Sequence, residues 1–312
     1  MRGTAARSRG WGRVVAHSGE LAEIIAEFTD ADGTFETAIP RVFLHRGSRI
    51  SEPNYAIFDP GICILAQGRK RLFVGQNVLA YDNETYLVVS LQTPLLTEAV
   101  EASPDKPLLC AILHFQPAAI ADLMIESDFR SADRESPGPA VTVSPLNDEL
   151  LDAFVRLLRL LRSPHDIKVL GPVIETEILY RLLRSEQATR MSQIAFADSK
   201  LHRVRRAIDW IKRNFDKPMA VETLAKEARL SRSALHKHFQ EVTGFSPLQY
   251  QKRIRLQEAH RLLLGQGNDV ATVSHAVGYE SPTQFNREYK RLFGDPPHRH
   301  IARLKSRHGA PQ

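Results

Sequence analysis

The sequence predicts an α+β protein whose two halves differ in structure. Between about residues 38 and 115, short β-rich runs recur at spacings of roughly 8–12 residues, a pattern typical of a small all-β sandwich or barrel. From Leu201 onward the apolar pattern is helical and is interrupted by Gly and Pro. The charge changes at the same place: residues 200–312 carry 22 Lys and Arg against 10 Asp and Glu, a net +12, whereas residues 1–199 carry a net −6. This asymmetry indicates either that the basic half meets a polyanion or that it is a basic tail without a ligand, and the pattern within that half must decide.

Length and composition fit two globular domains. The chain has 312 residues, of which 43% are hydrophobic and 25% charged, enough to bury two cores. Its two cysteines, Cys63 and Cys110, are too few for a disulfide framework or a four-cysteine zinc site. No run approaches the ~18 apolar residues of a membrane helix, and the basic N-terminus lacks the apolar stretch of a secretory signal. We therefore expect a cytoplasmic protein without a membrane segment.

The first half is predicted to begin with a disordered basic arm at residues 1–18 and a short amphipathic helix over 20–28. The strand-like runs that follow are RVFLHR, YAIF, ICILAQG, RLFVG, NVLAY, TYLVVSL, LLTEAV and LLCAILHF. Turn-forming residues such as Asp59-Pro60-Gly61 separate them. A loop rich in Ser, Pro and Gly at 131–145 ends this region.

Two strongly apolar helices are predicted next. The first carries an apolar stripe of Leu150, Leu151, Phe154, Leu157, Leu158 and Leu161. The second carries Leu170, Val173, Ile174, Ile178, Leu179, Leu182 and Leu183. Both have more apolar surface than a single-sided helix requires. The stripes either close the bottom of the β-domain or form a dimer seam, and the sequence leaves both open.

Helices are predicted in the second half at about 201–214, 221–228, 232–242, 247–264, 270–277 and 282–292. Their ends are marked by local signals. Ser246-Pro247 and Ser281-Pro282 each place Ser at the N-cap and Pro at the first helical position. Glycines stand where helices should stop, at Gly244, Gly265, Gly278 and Gly294.

This half repeats itself at an offset of 50 residues. The matched pairs are Ser231 and Ser281, Leu235 and Phe285, Phe239 and Tyr289, Gly244 and Gly294, and Pro247 and Pro297. Each copy is a short helix, a tight turn and a second helix opened by Ser, so each is predicted to be a helix-turn-helix. The helix between the copies has about 18 residues and spans about 27 Å, against about 34 Å for one turn of B-DNA. Such a rod can hold two helices in successive major grooves.

The exposed positions of the two second helices carry groups that suit DNA. The first helix presents Arg232, Ser233, His236, Lys237 and Gln240, and the second presents Thr283, Gln284, Arg287, Lys290 and Arg291. Arg and Lys suit guanine edges and phosphates, and Gln suits adenine. A solvated polar face is the alternative for any one surface helix. Two copies in a basic half favour DNA.

From about residue 201 to 304 the chain resembles the AraC/XylS family of bacterial transcription regulators. The carriers are LSRSALHKHFQEVTGFSPLQYQKRIRLQEAHRLL and VGYESPTQFNREYKRLFGDPP. The resemblance implies that residues 231–242 and 281–292 are recognition helices. It implies base contacts from Ser233, His236, Lys237, Pro282, Thr283, Gln284 and Arg287, which leaves Arg232, Lys290 and Arg291 as phosphate candidates. Pro282 stands where the family often has a polar residue, and the Tyr-Arg that usually follows Pro297 by two residues is replaced by His300-Ile301.

Over about residues 40–125 the chain resembles the AraC-type regulator N-terminal domain, a cupin-like barrel. The carriers are SEPNYAIFDPGICILAQGRKRLFVG, YDNETYLVVSLQTPL and EASPDKPLL. The fold class that the two resemblances imply is an N-terminal cupin-like β-barrel with flanking helices and a C-terminal all-α double helix-turn-helix. The expected domains are a cupin-like effector or dimerisation domain at 19–145, a helical connector at 146–199, a DNA-binding domain at 200–305 and a tail at 306–312.

Candidate sites in the first half are few. Metal-binding cupins need a His-x-His pair with a Glu and a later His, but His45 and His114 each stand alone, so we expect neither a metal, a cofactor nor an enzyme. Cys63 and Cys110 are either small buried hydrophobes or thiols that sense oxidants or aldehydes. Arg69, Lys70 and Arg71 follow Cys63, and they form either a solvated hairpin or a site for an anionic effector.

These features together predict a sequence-specific transcription regulator that responds to a small molecule sensed by its first half. The expected partners are double-stranded promoter DNA, an effector of unknown identity and a second copy in a homodimer, with RNA polymerase as a further candidate. Two other classes of function are left open. One is a cupin-type enzyme with a DNA-binding appendage, and the other is an architectural DNA binder that needs no effector.

Overall fold

The computed structural model of the chain describes residues 17–51, 53–74, 77–127, 129, 138–195, 200–265 and 269–308. The chain divides into two compact units, Met1–His202 and Arg203–Gln312. Parts of some predicted segments lie outside the described residues: most of the basic arm, much of the loop at 131–145, and the last residues of the tail. Among the described helices, none combines the length and the apolar character that a bilayer crossing needs.

The strands of the first unit form two antiparallel sheets. One has six strands in the order β1-β2-β9-β4-β7-β10, and the other has four in the order β3-β8-β5-β6. The predicted α+β class is confirmed. The predicted closed barrel is not formed, because within the described ranges no hydrogen-bonded ladder joins the two sheets. The strands are β1 (Gly33–Glu36), β2 (Val42–Gly47), β3 (Asn54–Phe58), β4 (Gly61–Gln67), β5 (Arg69–Val74), β6 (Asn77–Tyr81), β7 (Thr85–Val89), β8 (Thr93–Glu101), β9 (Leu108–His114) and β10 (Val141–Pro145).

The first unit also contains helices α1 (residues 17–27), α2 (Pro117–Glu126), α3 (Asp148–Arg159), α4 (Ile167–Leu183) and α5 (Ala188–Ala195). The two predicted apolar helices are α3 and α4. Asn147 caps α3, because its side chain accepts a hydrogen bond from the Leu150 amide at 2.9 Å. Strands β1 and β10 and helices α2 and α5 are elements that the sequence pattern did not predict.

The two apolar stripes have different surroundings. The stripe on α3 is buried within the unit, with Leu157 only 1% exposed. For this stripe the structure favours packing within the chain over a dimer seam. The α4 stripe is divided: Ile178 and Leu182 are buried, whereas Val173 is 63% exposed.

The second unit is entirely helical over its described residues. Its helices are α6 (Lys200–Arg213), α7 (Val221–Glu227), α8 (Arg232–Thr243), α9 (Pro247–Leu264), α10 (Val270–Ala276), α11 (Pro282–Phe293) and α12 (Pro297–His308). Helices α6 to α11 lie where the sequence predicted them, within one or two residues at each end. The sequence pattern did not predict α12, whose bounds include the first residues of the expected tail.

Candidate nucleic-acid interface

Helices α7 and α8 form the first helix-turn-helix. The Ser231 hydroxyl caps α8 by accepting a hydrogen bond from the Ala234 amide at 3.2 Å. Gly244 ends the helix in the left-handed conformation, with φ of 75°. Leu235 and Phe239 are fully buried on one side of α8. This packing fixes which side of the helix faces outward.

The outward side of α8 carries the predicted contact residues. Ser233, His236, Lys237 and Gln240 are all exposed, and their spacing of three and four residues places them on one helical face. Arg232 is exposed too, but its guanidinium lies 3.1 Å from the Glu222 carboxylate of α7. Both partners are mostly exposed, so this ion pair contributes little to stability.

Helices α10 and α11 form the second helix-turn-helix. Ser281 caps α11 by accepting from the Gln284 amide at 3.4 Å. Phe285 and Tyr289 are fully buried, and they anchor α11 as Leu235 and Phe239 anchor α8. The predicted contact residues on the opposite side, Thr283, Gln284, Arg287, Lys290 and Arg291, are exposed, while Pro282 is half-buried at the first helical position.

The two motifs have the same dimensions. Helices α8 and α11 each have 12 residues, and α7 and α10 each have 7. The predicted internal repeat is thereby confirmed as a repeat of structure. It also extends further than the two motifs, because α9 and α12 both begin at a proline, Pro247 and Pro297.

Helix α9 connects the motifs through two long polar side chains. The Arg255 guanidinium donates to the carbonyls of Phe215 at 2.5 Å, Lys217 at 2.9 Å and Gly278 at 2.7 Å. The Gln251 amide also donates to Lys217, at 2.9 Å. Phe215 and Lys217 belong to the loop before the first motif, and Gly278 belongs to the turn of the second. Arg255 therefore ties both motifs to one helix.

A buried carboxylate attaches α11 to α9. Glu288 is 7% exposed, and it accepts hydrogen bonds from Lys252 of α9 and from the Tyr279 hydroxyl, both at 2.9 Å. Burial alone would raise the pKa of Glu288, but the hydrogen bonds from Lys252, Tyr279 and Gln284 outweigh it and leave the pKa lowered. Gln284 is also a predicted base-contact residue. Its side-chain amide donates to the Glu288 carboxylate of the same helix at 3.3 Å.

Sequence reasoning missed Gln251, Lys252, Arg255 and Glu288, which position the two reading helices. Lys252 and Glu288 are 36 residues apart in the chain, so no local pattern connects them. The sequence signal for these residues is the position of Lys252 and Arg255 on the connecting helix α9, because cations on a helix that packs against both motifs require partners.

In the first unit, the basic hairpin residues do not converge on one place. Arg69 pairs with Asp82 at 3.1 Å and Arg71 with Glu98 at 2.5 Å. Lys70 lies between them on β5 and faces the opposite side of the strand. Both cysteines are buried: Cys63 is 7% and Cys110 1% exposed.

His45 and His114 lie on different strands, and each has its own neighbours. The Nδ1 atom of His45 lies 2.9 Å from the Thr34 hydroxyl, and the His114 ring packs against Phe43 with centroids 4.7 Å apart. Burial and the Lys70 charge lower the pKa of His45 to about 4. In the described part of the chain, no group of three or more His, Cys, Asp or Glu side chains is placed to hold a metal ion.

Two capped helix-turn-helix motifs on one connecting helix, in a half with net charge +12, define a DNA-binding protein. Comparison with known families agrees: the AraC-type transcriptional regulator N-terminus matches residues 38–190, and a helix-turn-helix domain matches residues 224–303. The chain belongs to the AraC family, which is a family of transcriptional regulators.

Individual relatives are distant. The lactose operon transcription activator of Staphylococcus xylosus is 33% identical over 90 residues, which are 29% of this chain and 32% of that protein. The transcriptional activator RhaS of Yersinia pestis bv. Antiqua is 23% identical over 69% of this chain and 73% of its own length. The first three curated relatives are each matched over less than half of their length, 32%, 45% and 34%.

Among solved structures, the chain is similar to ToxT from Vibrio cholerae O395 bound to (E)-4-(8-methylnaphthalen-1-yl)but-3-enoic acid. The TM-score is 0.54 at 12% identity, and the match covers 84% of this chain and 99% of ToxT. At this identity the likeness establishes a shared fold.

Proposed function

We propose that the chain is a one-component regulator that reads promoter DNA with α8 and α11 and responds to a small molecule bound by its first unit. The observation that carries this proposal is the pair of equal, capped helices at an offset of 50 residues, each with a polar and basic outward face. A helix that merely faces solvent needs no second copy. Contact with two adjacent segments of the major groove does require two such helices.

The proposed base contacts are Ser233, His236 and Lys237 from α8, and Pro282, Thr283, Gln284 and Arg287 from α11. The proposed phosphate contacts are Arg232, Lys290 and Arg291. On α11 the two groups differ in position along the helix: the base candidates lie toward its N-terminal part, the part that a recognition helix inserts into the groove. Lys290 and Arg291 lie in the last turn of α11. Arg232 reaches a phosphate only by leaving Glu222.

The proposed effector is a small molecule whose identity the chain does not specify. ToxT, which shares the fold, is bound to a small organic acid in the structure described above. In this chain Arg69 and Arg71 are the cationic candidates on the β-domain, and an anionic ligand there would compete with Asp82 and Glu98. An effector that prefers one arrangement of the first unit would act on DNA binding through linkage between the two sites.

We propose a homodimer whose seam is the outward face of α4. This face is mostly apolar: its exposed hydrophobic residues are Val169 (68%), Leu170 (43%), Val173 (63%) and Tyr180 (45%), with the exposed Thr176 between the last two. Their spacing follows one side of the helix. A second copy is the partner that this face fits, because a twofold axis lets the same apolar stripe meet itself.

The decisive experiment is footprinting of the full chain on the promoter next to its own gene, with and without candidate small molecules. The proposal expects each copy of the chain to protect two segments about one helical turn apart, on one face of the duplex. It also expects a change when the effector is added. Protection without any sequence preference would favour an architectural DNA binder instead. Recruitment of RNA polymerase is tested separately, by transcription from the protected promoter with purified polymerase.

A further inference from the structure

Cys63 and Cys110 lie against each other inside the first unit. Their sulfur atoms are 2.9 Å apart, although the residues are separated by 47 positions in the chain. Both are free thiols, and both are buried. The sulfurs would need to approach by only about 0.9 Å more to reach the ~2.05 Å of a disulfide bond.

The register of the six-stranded sheet explains why the thiols meet. Cys63 on β4 is paired with Ile112 on β9, and Cys110 is paired with Leu65. Cys110 therefore stands two residues from the partner of Cys63, so both side chains point to the same face of the sheet. At this diagonal position the two side chains approach closely enough for their sulfur atoms to touch.

Two residues of the other sheet complete the surroundings of the pair. Lys70 on β5 is paired with Tyr81 on β6, so the two share a face of the four-stranded sheet. Tyr81 is 1% exposed, and its hydroxyl lies 3.6 Å from the Cys63 sulfur. The thiol pair is thus enclosed between the two sheets, beside a phenol and an ammonium group.

This environment favours one thiol as the reactive one. The hydrogen bond from Cys110 lowers the pKa of Cys63, and the Lys70 charge and the Tyr81 hydroxyl lower it further against the opposing effect of burial. The same hydrogen bond and burial raise the pKa of Cys110. Because the thiolate is the nucleophile, Cys63 is expected to react first and Cys110 second.

We propose that Cys63 and Cys110 are a redox-active dithiol that closes to an intrachain disulfide when the protein meets a peroxide. In the first step the Cys63 thiolate attacks one oxygen of hydrogen peroxide: the S–O bond forms, the O–O bond breaks, and hydroxide leaves. In the second step the Cys110 sulfur attacks the sulfenic sulfur: the S–S bond forms, the S–O bond breaks, and the departing oxygen leaves as water with the Cys110 proton. The two thiols are oxidised by two electrons in all, and the peroxide is reduced to water.

Closure would link β4 to β9 within the six-stranded sheet. The first unit would then receive a covalent input in addition to the non-covalent effector proposed above. Both sulfurs are free thiols in the structure, so the disulfide would form only when an oxidant takes up the two electrons. This inference does not depend on DNA binding, so it stands or fails separately from the proposed function.

The test is the intact mass of the full chain before and after hydrogen peroxide, and again after dithiothreitol. The chain has two cysteines, so an intrachain disulfide can only be this one. We expect the monomer to lose two hydrogens and to regain them on reduction. Cys110→Ala should instead gain one oxygen, at Cys63, and Cys63→Ala should react far more slowly. Alanine is chosen because both sites are buried and the substitution removes only the sulfur atom.

Two further measurements test whether disulfide closure depends on Lys70 and on the folded arrangement of the two thiols. Lys70→Met should slow closure severalfold and move the pH profile of Cys63 alkylation to higher pH, whereas Arg69→Met should do neither. The wild-type chain unfolded in urea should close more slowly than the folded chain at the same peroxide concentration. Disulfide-linked dimers, a gain of two or three oxygens without closure, an unchanged mass, or equal rates when folded and unfolded would each overturn the proposal.

Discussion

The backbone of Gly278 passes so close to Asp216 that a Cβ atom at residue 278 would lie 2.0 Å from the Asp216 carbonyl oxygen. Gly278 also has a φ of +86°, which L side chains rarely adopt. The turn of the second helix-turn-helix is therefore packed directly against the loop that precedes the first. Arg255 reinforces this contact by donating to carbonyls on both sides of it. The two reading helices are held by one continuous arrangement of backbone and side chains.

Gly278→Ala should lower the free energy of unfolding of the second unit by more than the cost of a side chain at this φ. Gly294→Ala is the matched control, because Gly294 has a φ of +85° but no atom within 4 Å of its Cβ position. The control should cost about 1–2 kcal/mol, the cost of placing a side chain at such a φ. Gly278→Ala should cost clearly more, since the Asp216 backbone must move. Urea unfolding measures both, and equal losses would mean that the contact with Asp216 contributes nothing.

The stability of the second unit should depend on pH through His260. The His260 ring stacks against Phe293 and His300 at centroid distances of 5.1 and 5.2 Å. Burial, with a further effect of His300, lowers the pKa of His260 from 6.5 to about 4. Between these values the unfolded chain binds a proton that the folded chain does not. Stability should therefore rise as the pH rises from about 4 to about 6.5, and fall as the pH falls.

His260→Phe keeps an aromatic ring in this stack and removes the titrating group. The melting temperature of the variant should change less across that pH window than that of the wild type. His236→Phe is the control, because His236 is exposed on α8 and contributes no buried imidazole. If His260→Phe keeps the full pH dependence, the slope arises from other groups and the assignment to His260 is wrong.

Local sequence signals located the DNA-binding helices well because each helix carries its own start and stop. Ser231, Ser246 and Ser281 cap helices as predicted, and Gly244 ends one in the left-handed conformation. The same repeat also held the signal for α12. Pro297 matches Pro247, the first residue of α9, and is itself the first residue of α12.

The contacts that the sequence could not predict are those between residues far apart in the chain. The contact between Cys63 and Cys110 exists because β4 and β9 are neighbours in a particular register. A shift of one residue would turn one thiol to the other face of the sheet. The hydrogen bonds of Arg255 and Glu288 likewise depend on how helices pack. The candidate DNA-contact residues were predictable for the opposite reason, because exposure on a helix follows from its periodicity.

Arg287→Ala and Lys290→Ala should weaken DNA binding in different ways. If Arg287 reads a base, its loss should cost about 1–3 kcal/mol on the specific site and little on random DNA. Lys290→Ala should weaken binding to both DNAs similarly, and should reduce the salt slope of binding by about one. Affinities on both DNAs at several salt concentrations separate the two effects. Equal losses for Arg287→Ala on specific and random DNA would show that this side chain contacts phosphate.

A glutamate introduced on α3 should unfold the first unit, whereas a glutamate introduced on the exposed face of α4 should leave it folded. Leu157 on α3 is 1% exposed, so Leu157→Glu would place an unpaired carboxylate in the core at a cost of several kcal/mol, and the unit should unfold. Val173 on α4 is 63% exposed, so Val173→Glu should leave the fold intact. If the α4 face is the dimer seam, the same substitution places two carboxylates near a twofold axis and should yield folded monomers.

Sedimentation velocity gives the oligomeric state, and thermal unfolding shows whether each variant is folded. A Val173→Glu protein that stays dimeric would place the seam elsewhere, and a wild-type chain that sediments as a monomer would remove the dimer from the mechanism.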